Sequence, residues 1–138
     1  MQNSAIITPV LAAGSTASPY LFLVNLTQRL CQATCVGQTP VFAPVFSLVG
    51  FSNVGTGAYV AVINVQGIIS YTPCNKNDCC CTKTQVVNQN FTIPFTSATA
   101  PTSVSITQGN AVNSVSAQPC HNCSRTFVSE TPVNLVVA

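Results

Sequence analysis

Charged side chains are nearly absent from this chain. Six of its 138 residues carry a charge, which is 4%, whereas soluble domains average roughly 25%. Those six residues are Arg29, Lys76, Asp78, Lys83, Arg125 and Glu130. Nucleic-acid binding requires a concentrated positive surface, and the four basic residues here are scattered. The composition therefore argues against a nucleic-acid partner and favours association between copies, because little charge keeps them apart in water.

Acid–base residues are equally scarce. The chain has a single histidine, His121, a single aspartate, Asp78, and a single glutamate, Glu130. General acid–base catalysis requires such groups in defined positions, and all three fall in segments that we predict to be loops. There is also no glycine-rich phosphate loop and no pair of carboxylates. We predict that the protein is not an enzyme and has no catalytic residues and no cofactor.

Long apolar runs are missing as well. No stretch approaches the roughly 18 continuous apolar residues of a transmembrane helix, so we expect no membrane partner. Residues 1–28 contain no Lys or Arg, and Pro9 interrupts the short apolar run 5–13. A standard signal peptide is therefore not predicted.

Strand-forming residues dominate the rest of the composition. Val, Ile, Thr and Phe fit a pleated surface, and the charged helix formers are lacking. We predict an all-β fold, an antiparallel β-sandwich or jelly roll of about seven or eight strands, as one domain over residues 19–138. Residues 1–18 are predicted to form an extended N-terminal arm. The predicted strands cover residues 20–27, 41–53, 59–71, 85–95, 102–107, 111–117, 125–129 and 133–137.

Local signals refine this prediction. The segment Tyr20–Thr27 alternates apolar residues on one face, with Leu21 and Leu23 on the other. Pro44 indicates a broken or edge strand, and Gly67 indicates a bulge or a close backbone approach. Gly109-Asn110 predicts a turn, and Thr131-Pro132 predicts a break between the last two strands.

Cysteine is abundant, with eight residues. An extended backbone directs Cys79 and Cys81 to one side and Cys80 to the other. We therefore hypothesise that at least one of the three bonds a neighbouring subunit, and a Cys80→Ser variant tests this. One alternative is that all eight pair internally. Another is zinc, because Cys31-x3-Cys35 and Cys120-x2-Cys123 have ligand-like spacing; their wide separation argues against it, and we predict no metal site. The candidate cross-linking residues are Cys31, Cys35, Cys74, Cys79, Cys80, Cys81, Cys120 and Cys123.

Both chain ends carry apolar, β-capable segments without charge. Exposed strand edges of this kind template pairing with other chains. We therefore expect subunit docking through these ends, and we hypothesise that an arm over residues 1–13 docks on a neighbour. The alternative is that both ends pair within their own domain. The docking candidates are Ile6, Ile7, Val10, Leu11, Leu135, Val136 and Val137.

The uncharged β-rich composition, the length and clusters such as Cys79-Cys80-Cys81 resemble cysteine-rich self-assembling proteins of bacterial spore surfaces, namely exosporium lattice proteins and endospore-appendage subunits. The resemblance implies fibres or two-dimensional arrays held by disulfides, and for appendage subunits a jelly roll with an N-terminal connector. That connector usually carries cysteines, whereas residues 1–30 here have none, which departs from the pattern.

The sequence thus predicts a structural subunit whose partner is itself. It would assemble into a disulfide-stabilised extracellular fibre or lattice, outside the cell or on a spore surface, without a standard signal peptide. The alternatives are a monomeric surface adhesion or binding module with internal disulfides, and a viral capsid or decoration protein.

Overall fold

The computed structural model describes residues 5–15, 18–30, 39–71, 83–115 and 126–138. These residues form eight strands and no helix, so none of the described segments is a helix that could span a membrane. The predicted all-β fold is confirmed. The strands are β1 (Ile6–Leu11), β2 (Tyr20–Arg29), β3 (Val45–Gly55), β4 (Ala58–Tyr71), β5 (Lys83–Thr96), β6 (Val104–Gln108), β7 (Val112–Val115) and β8 (Thr126–Val137).

The strands form two antiparallel sheets that pack as a sandwich. The first sheet has the order β1-β2-β8-β6, and β7 pairs with β8 beside β6. The second sheet has the order β3-β4-β5. The predicted antiparallel sandwich is therefore confirmed.

The core follows from alternation along the strands, because successive side chains of a strand point to opposite faces. Phe22, Val24 and Leu26 of β2 are buried, whereas Leu21 and Leu23 on the other face are partly exposed. This matches the predicted alternation. Each such apolar side chain contributes about 1.5–3 kcal/mol on full burial. The side chains with no exposed surface are Leu30, Ala61, Ile63, Val65, Ile69, Ile93, Phe127, Val133 and Leu135.

Strand β8 is continuous where the sequence predicted a break at Thr131-Pro132. Proline cannot donate a backbone hydrogen bond, but the Pro132 carbonyl accepts one from the Gly109 N–H at 2.8 Å. Gly109 lies in the gap between β6 and β7, which pair with successive halves of β8. A Cβ at Gly109 would lie 2.7 Å from the Pro132 ring. The predicted turn at Gly109-Asn110 is therefore an interruption in one edge of the sheet and not a hairpin.

The two chain ends are placed differently. Residues Ile6–Leu11 pair with β2 of the same chain and form an edge of the first sheet. The C-terminal strand does not present the open edge that its apolar sequence suggested. It pairs with β2 on one side and with β6 and β7 on the other.

Two glutamine side chains connect the edges of the two sheets. The Gln89 amide of β5 donates to the Ala5 carbonyl at 2.8 Å and accepts from the Ala5 N–H at 3.1 Å. At the opposite edges, the Gln108 amide donates to the Pro44 carbonyl and accepts from the Phe46 N–H, both at 2.8 Å. Neutral amides therefore tie the sheets together at these two positions.

Candidate functional site

All eight cysteines lie in segments 31–38, 72–82 and 116–125, which are outside the described residues. The described strands show where these segments attach. Each segment begins just after β2, β4 or β7 ends. After the first segment the described chain resumes shortly before Val41, and after the other two it resumes at the first residues of β5 and β8. These strand termini lie at one end of the sandwich. The strand register there pairs Arg29 with Thr126, Tyr71 with Lys83, and Val115 with Phe127.

We call this the cysteine end; its described residues are 28–30, 39–42, 69–71, 83–86, 113–115 and 126–128. All eight cysteines belong to segments that are continuous in sequence with the strands of the cysteine end. Leu30 directly precedes Cys31, and Lys83 follows Cys81 by two residues, so bonded distances restrict how far these thiols lie from the strands.

A buried network of neutral polar groups lies in the strands next to the points where the first two cysteine segments begin. The side-chain amides of Gln28 and Gln85 both donate to the Arg29 carbonyl, at 3.2 and 3.3 Å. The Tyr71 hydroxyl donates to Oε1 of Gln85 at 3.3 Å. Gln28 and Gln85 are both buried, and buried polar groups of this kind require such partners. The network fixes the backbone of β2 just before the chain enters residues 31–38, and it joins β2 to β5.

The chain that returns from residues 31–38 is tied down on both sheets. Val41 and Ser70 exchange two backbone hydrogen bonds, at 2.8 and 2.9 Å, just before β4 ends. The Asn113 side chain of β7 donates to the Phe42 carbonyl at 3.1 Å. Hydrogen bonds therefore link the bases of all three cysteine segments.

Phe42 anchors this returning chain in the core. Its ring meets the Phe127 ring edge to face, with 5.8 Å between centroids. A Cβ at Gly67 would lie 2.5 Å from the Phe42 ring, so the close backbone approach predicted at Gly67 is confirmed. Pro44 precedes β3, an edge strand of the second sheet, as the sequence predicted.

The cysteine end joins thiol-bearing segments to a hydrogen-bonded network of uncharged side chains, with the charged residues Arg29 and Lys83 in the adjoining strands. The thiolate is the nucleophile and the metal ligand of cysteine, and a disulfide forms only where two Cα atoms lie about 4.4–6.8 Å apart. Within the described part of the chain, no group of three His, Cys, Asp or Glu could hold a metal ion. The zinc alternative at Cys31, Cys35, Cys120 and Cys123 lies outside it.

The N-terminal docking candidates lie together on β1. Ile6 is 68% exposed, and Val10 and Leu11 are also largely exposed. Ile7 is partly buried and packs against the core. The outer side chains of β1 are therefore accessible, while β1 itself pairs with β2 of its own chain.

The C-terminal docking candidates lie within the fold. The Leu135 side chain has 0% exposure and belongs to the core. Val136 and Val137 are partly buried on a strand that is paired on both sides. Of these three, Leu135 has no side-chain surface for docking, because both sheets cover it.

The glutamines of the buried network were not identified from the sequence. Gln28 follows Phe22, Val24 and Leu26 in the inward phase of β2, and Gln85 precedes Val87 in the inward phase of β5. A glutamine in phase with buried apolar residues is the signal that could have revealed them.

Comparisons with protein-family models, with curated proteins and with solved structures find no match to this chain. The strand pairing establishes the fold by itself. The function is inferred from the cysteine end and from the faces of the two sheets.

Proposed function

We propose that the protein is a structural subunit that self-assembles into an extracellular fibre or lattice, with disulfides between copies, of the kind found on spore surfaces. The attachment of all three cysteine segments to one end of the sandwich is the main support. All of the candidate cross-linking groups are therefore tethered at the same end of the described fold. The hydrogen-bonded base gives them a fixed support.

The core supports a role for the cysteines beyond stabilising the fold. A chain of this length buries a core without needing disulfides as a substitute. Fully buried side chains come from both sheets, including Leu30, Ile63, Ile93 and Phe127. A core of this kind reduces the need for disulfides within the chain, which supports the proposal that the cysteines link copies.

The neutral connections between the sheets suit an exposed material. Salt screens interactions between exposed charges, whereas the Gln89 and Gln108 hydrogen bonds join neutral groups. A subunit held together in this way keeps its shape when the surrounding salt concentration changes.

A monomeric binding module is the second candidate, and a cavity at the opposite end of the sandwich favours it. The cavity measures about 290 Å³ and is largely apolar, close to the lower limit of roughly 300 Å³ for small-molecule pockets. In this case all cysteines would pair within the chain. The aromatic residues that line the cavity are Tyr20, Phe22, Tyr59 and Phe95.

Detergent resistance separates the two candidates. The full chain is heated in detergent with and without reductant, and both samples are examined by gel and by negative-stain microscopy. We expect ordered polymers that survive detergent until the thiols are reduced. A discrete monomer in both samples would contradict assembly and support the binding module.

The role of Cys80 is tested in the same assay. We expect Cys80→Ser to shorten or remove the ladder of polymers on a non-reducing gel, because it removes the thiol predicted to face a neighbour. Cys79→Ser serves as the matched control within the same cluster. An unchanged ladder for Cys80→Ser would contradict this role.

A further inference from the structure

An apolar patch is exposed on the outer face of the second sheet, next to the cysteine end. It forms a depression of about 670 Å³ whose lining includes Val41, Val45, Ile68 and Val86. These four side chains are 55% to 67% exposed. Ile68 and Val86 are directly paired across β4 and β5, so the patch is continuous across neighbouring strands.

The strand register keeps these side chains on the solvent-exposed face of the sheet. On β4, Ile69 and Val65 fill the core, so Ile68 must point outward. A shift by one residue would exchange the two faces and expose the core. Single exposed aliphatic residues are ordinary on protein surfaces, whereas contiguous apolar patches of a few hundred Å² are often functional.

Neutral polar side chains border the patch on the side away from the cysteine end. Asn64 of β4 donates to Asn88 and Asn90 of β5, at 3.0 and 2.9 Å, and Gln66 lies beside them. Apart from Lys83, whose side chain lies outside the described part of the structure, no residue of β3, β4 or β5 is charged. Apolar side chains next to uncharged polar ones are typical of protein–protein interfaces.

We propose that this face docks against the same face of a second copy of the chain. This inference rests on the proposed self-assembly and specifies its non-covalent contact. The alternative surface on a second copy is the outer face of the first sheet, which carries the charges of Arg29 and Glu130. Covering those charges with an uncharged face would remove water without supplying an opposite charge. Pairing the outer face of the second sheet with itself covers no charged side chain among those that the structure describes.

The size of the patch sets the strength of this contact. A fully exposed aliphatic side chain offers roughly 60–120 Å² of apolar surface, so the four side chains together offer roughly 150–300 Å². A stable interface buries about 800 Å² on each partner. The contact alone is therefore weak and reversible. Disulfides at the adjacent cysteine end would hold two copies close and raise their effective concentration at the patch.

The first experiment measures self-association of the full chain in reductant, where no cross-link forms. Sedimentation over a concentration series should show a reversible dimer with Kd on the order of 10⁻⁴ M. Val86→Lys should weaken it about tenfold or more, because each dimer would bury unpaired lysines. The control is Val112→Lys, at a side chain 69% exposed on β7 and opposite Glu130, which should dimerise like the wild type.

A second measurement uses the wild-type chain alone. Amide chemical shifts that change with concentration should be confined to the outer face of the second sheet, around Val45, Ile68 and Val86. Shifts at Leu21 and Leu23 as well would indicate two unlike faces and would overturn pairing of like faces.

Two further results would overturn the proposal. One is a wild-type chain that stays monomeric at millimolar concentration in reductant; the other is equal weakening by Val86→Lys and Val112→Lys. Binding of a monomeric wild-type chain to neutral lipid vesicles through Val86 would assign the patch to lipid instead. Because reductant removes the disulfides, failure here is distinct from failure of cross-linked polymers on non-reducing gels.

Discussion

The two ends of the sandwich are built differently. At the cysteine end, β2, β4 and β7 each lead into a cysteine segment, and polar groups at this end of β2, β4 and β5 are buried and bonded to one another. At the opposite end, Gly55 and Ala58 close a tight hairpin, with Gly57 at a positive φ of 70°. The Tyr20 hydroxyl there donates to the Thr96 carbonyl at 3.0 Å in an exposed position.

The two ends of the sandwich therefore have different structural roles. The hairpin end closes the fold with local turns and solvent-accessible hydrogen bonds. The cysteine end supports long connections on a buried base. Substitutions at the base should therefore cost more stability than matched substitutions at the hairpin end or on the surface, and the cost should follow burial.

The largest expected effect is at Phe127, which has no exposed surface and contacts Phe42. Phe127→Ala should lower the free energy of unfolding by about 3–5 kcal/mol, because it leaves a cavity under the cysteine end. Urea unfolding in reductant measures this. The control is Phe51→Ala, at a ring 38% exposed, and an equal loss for both variants would contradict the role of Phe127.

The next effect concerns the close approach of Gly67 to Phe42. Gly67→Ala should lower the free energy of unfolding by about 2 kcal/mol, because the new methyl group would overlap the Phe42 ring. Gly50→Ala is the matched control on β3, where no atom lies within 4 Å of the added Cβ. Gly50→Ala should leave the stability unchanged or raise it slightly. Thermal unfolding of both variants measures the difference in melting temperature. Equal melting temperatures would show that Phe42 does not require the glycine.

A smaller effect is expected from the buried network. Gln85→Ala removes the bond to the Arg29 carbonyl and the bond from the Tyr71 hydroxyl. It should lower the free energy of unfolding by about 1–2 kcal/mol, as measured by urea unfolding. A value near zero would mean that water replaces both bonds and that the base is not rigid.

The smallest effect is expected at the hairpin end. Tyr20→Phe removes one exposed hydrogen bond to Thr96 and should lower the free energy of unfolding by about 0.5 kcal/mol. Urea unfolding of Tyr20→Phe and Gln85→Ala under the same conditions compares the stability lost at the hairpin end with that lost at the cysteine end. A larger loss for Tyr20→Phe than for Gln85→Ala would reverse the comparison between them.

The sequence predicted the fold well where alternation is regular. The inward and outward faces of β2 follow from residues that alternate in phase. The predicted break at Thr131-Pro132 is wrong, although proline interrupts most central strands. In the fold, the missing donor at Pro132 coincides with the gap between β6 and β7, where Gly109 leaves room for the ring. Long-range pairing decides this, and local pattern cannot show it.

The candidate site was predicted only in part. The cysteines are visible as residues, but their attachment to one end follows from the order of strands in the two sheets. The Gln85 to Arg29 contact joins residues 56 positions apart, a separation that no local pattern encodes. The pairing of Ile6–Leu11 within its own chain had been left open for the same reason.

The central claim, disulfides between copies, is tested most directly by isotope mixing. Equal amounts of reduced ¹⁴N and ¹⁵N chains are combined, reoxidised and assembled, and the disulfide-linked peptides are analysed by mass spectrometry after digestion. We predict linked peptides that pair a ¹⁴N half with a ¹⁵N half, including peptides that contain Cys79 to Cys81. Linked peptides of a single isotope only would show that every disulfide lies within one chain, which would overturn cross-linking between copies.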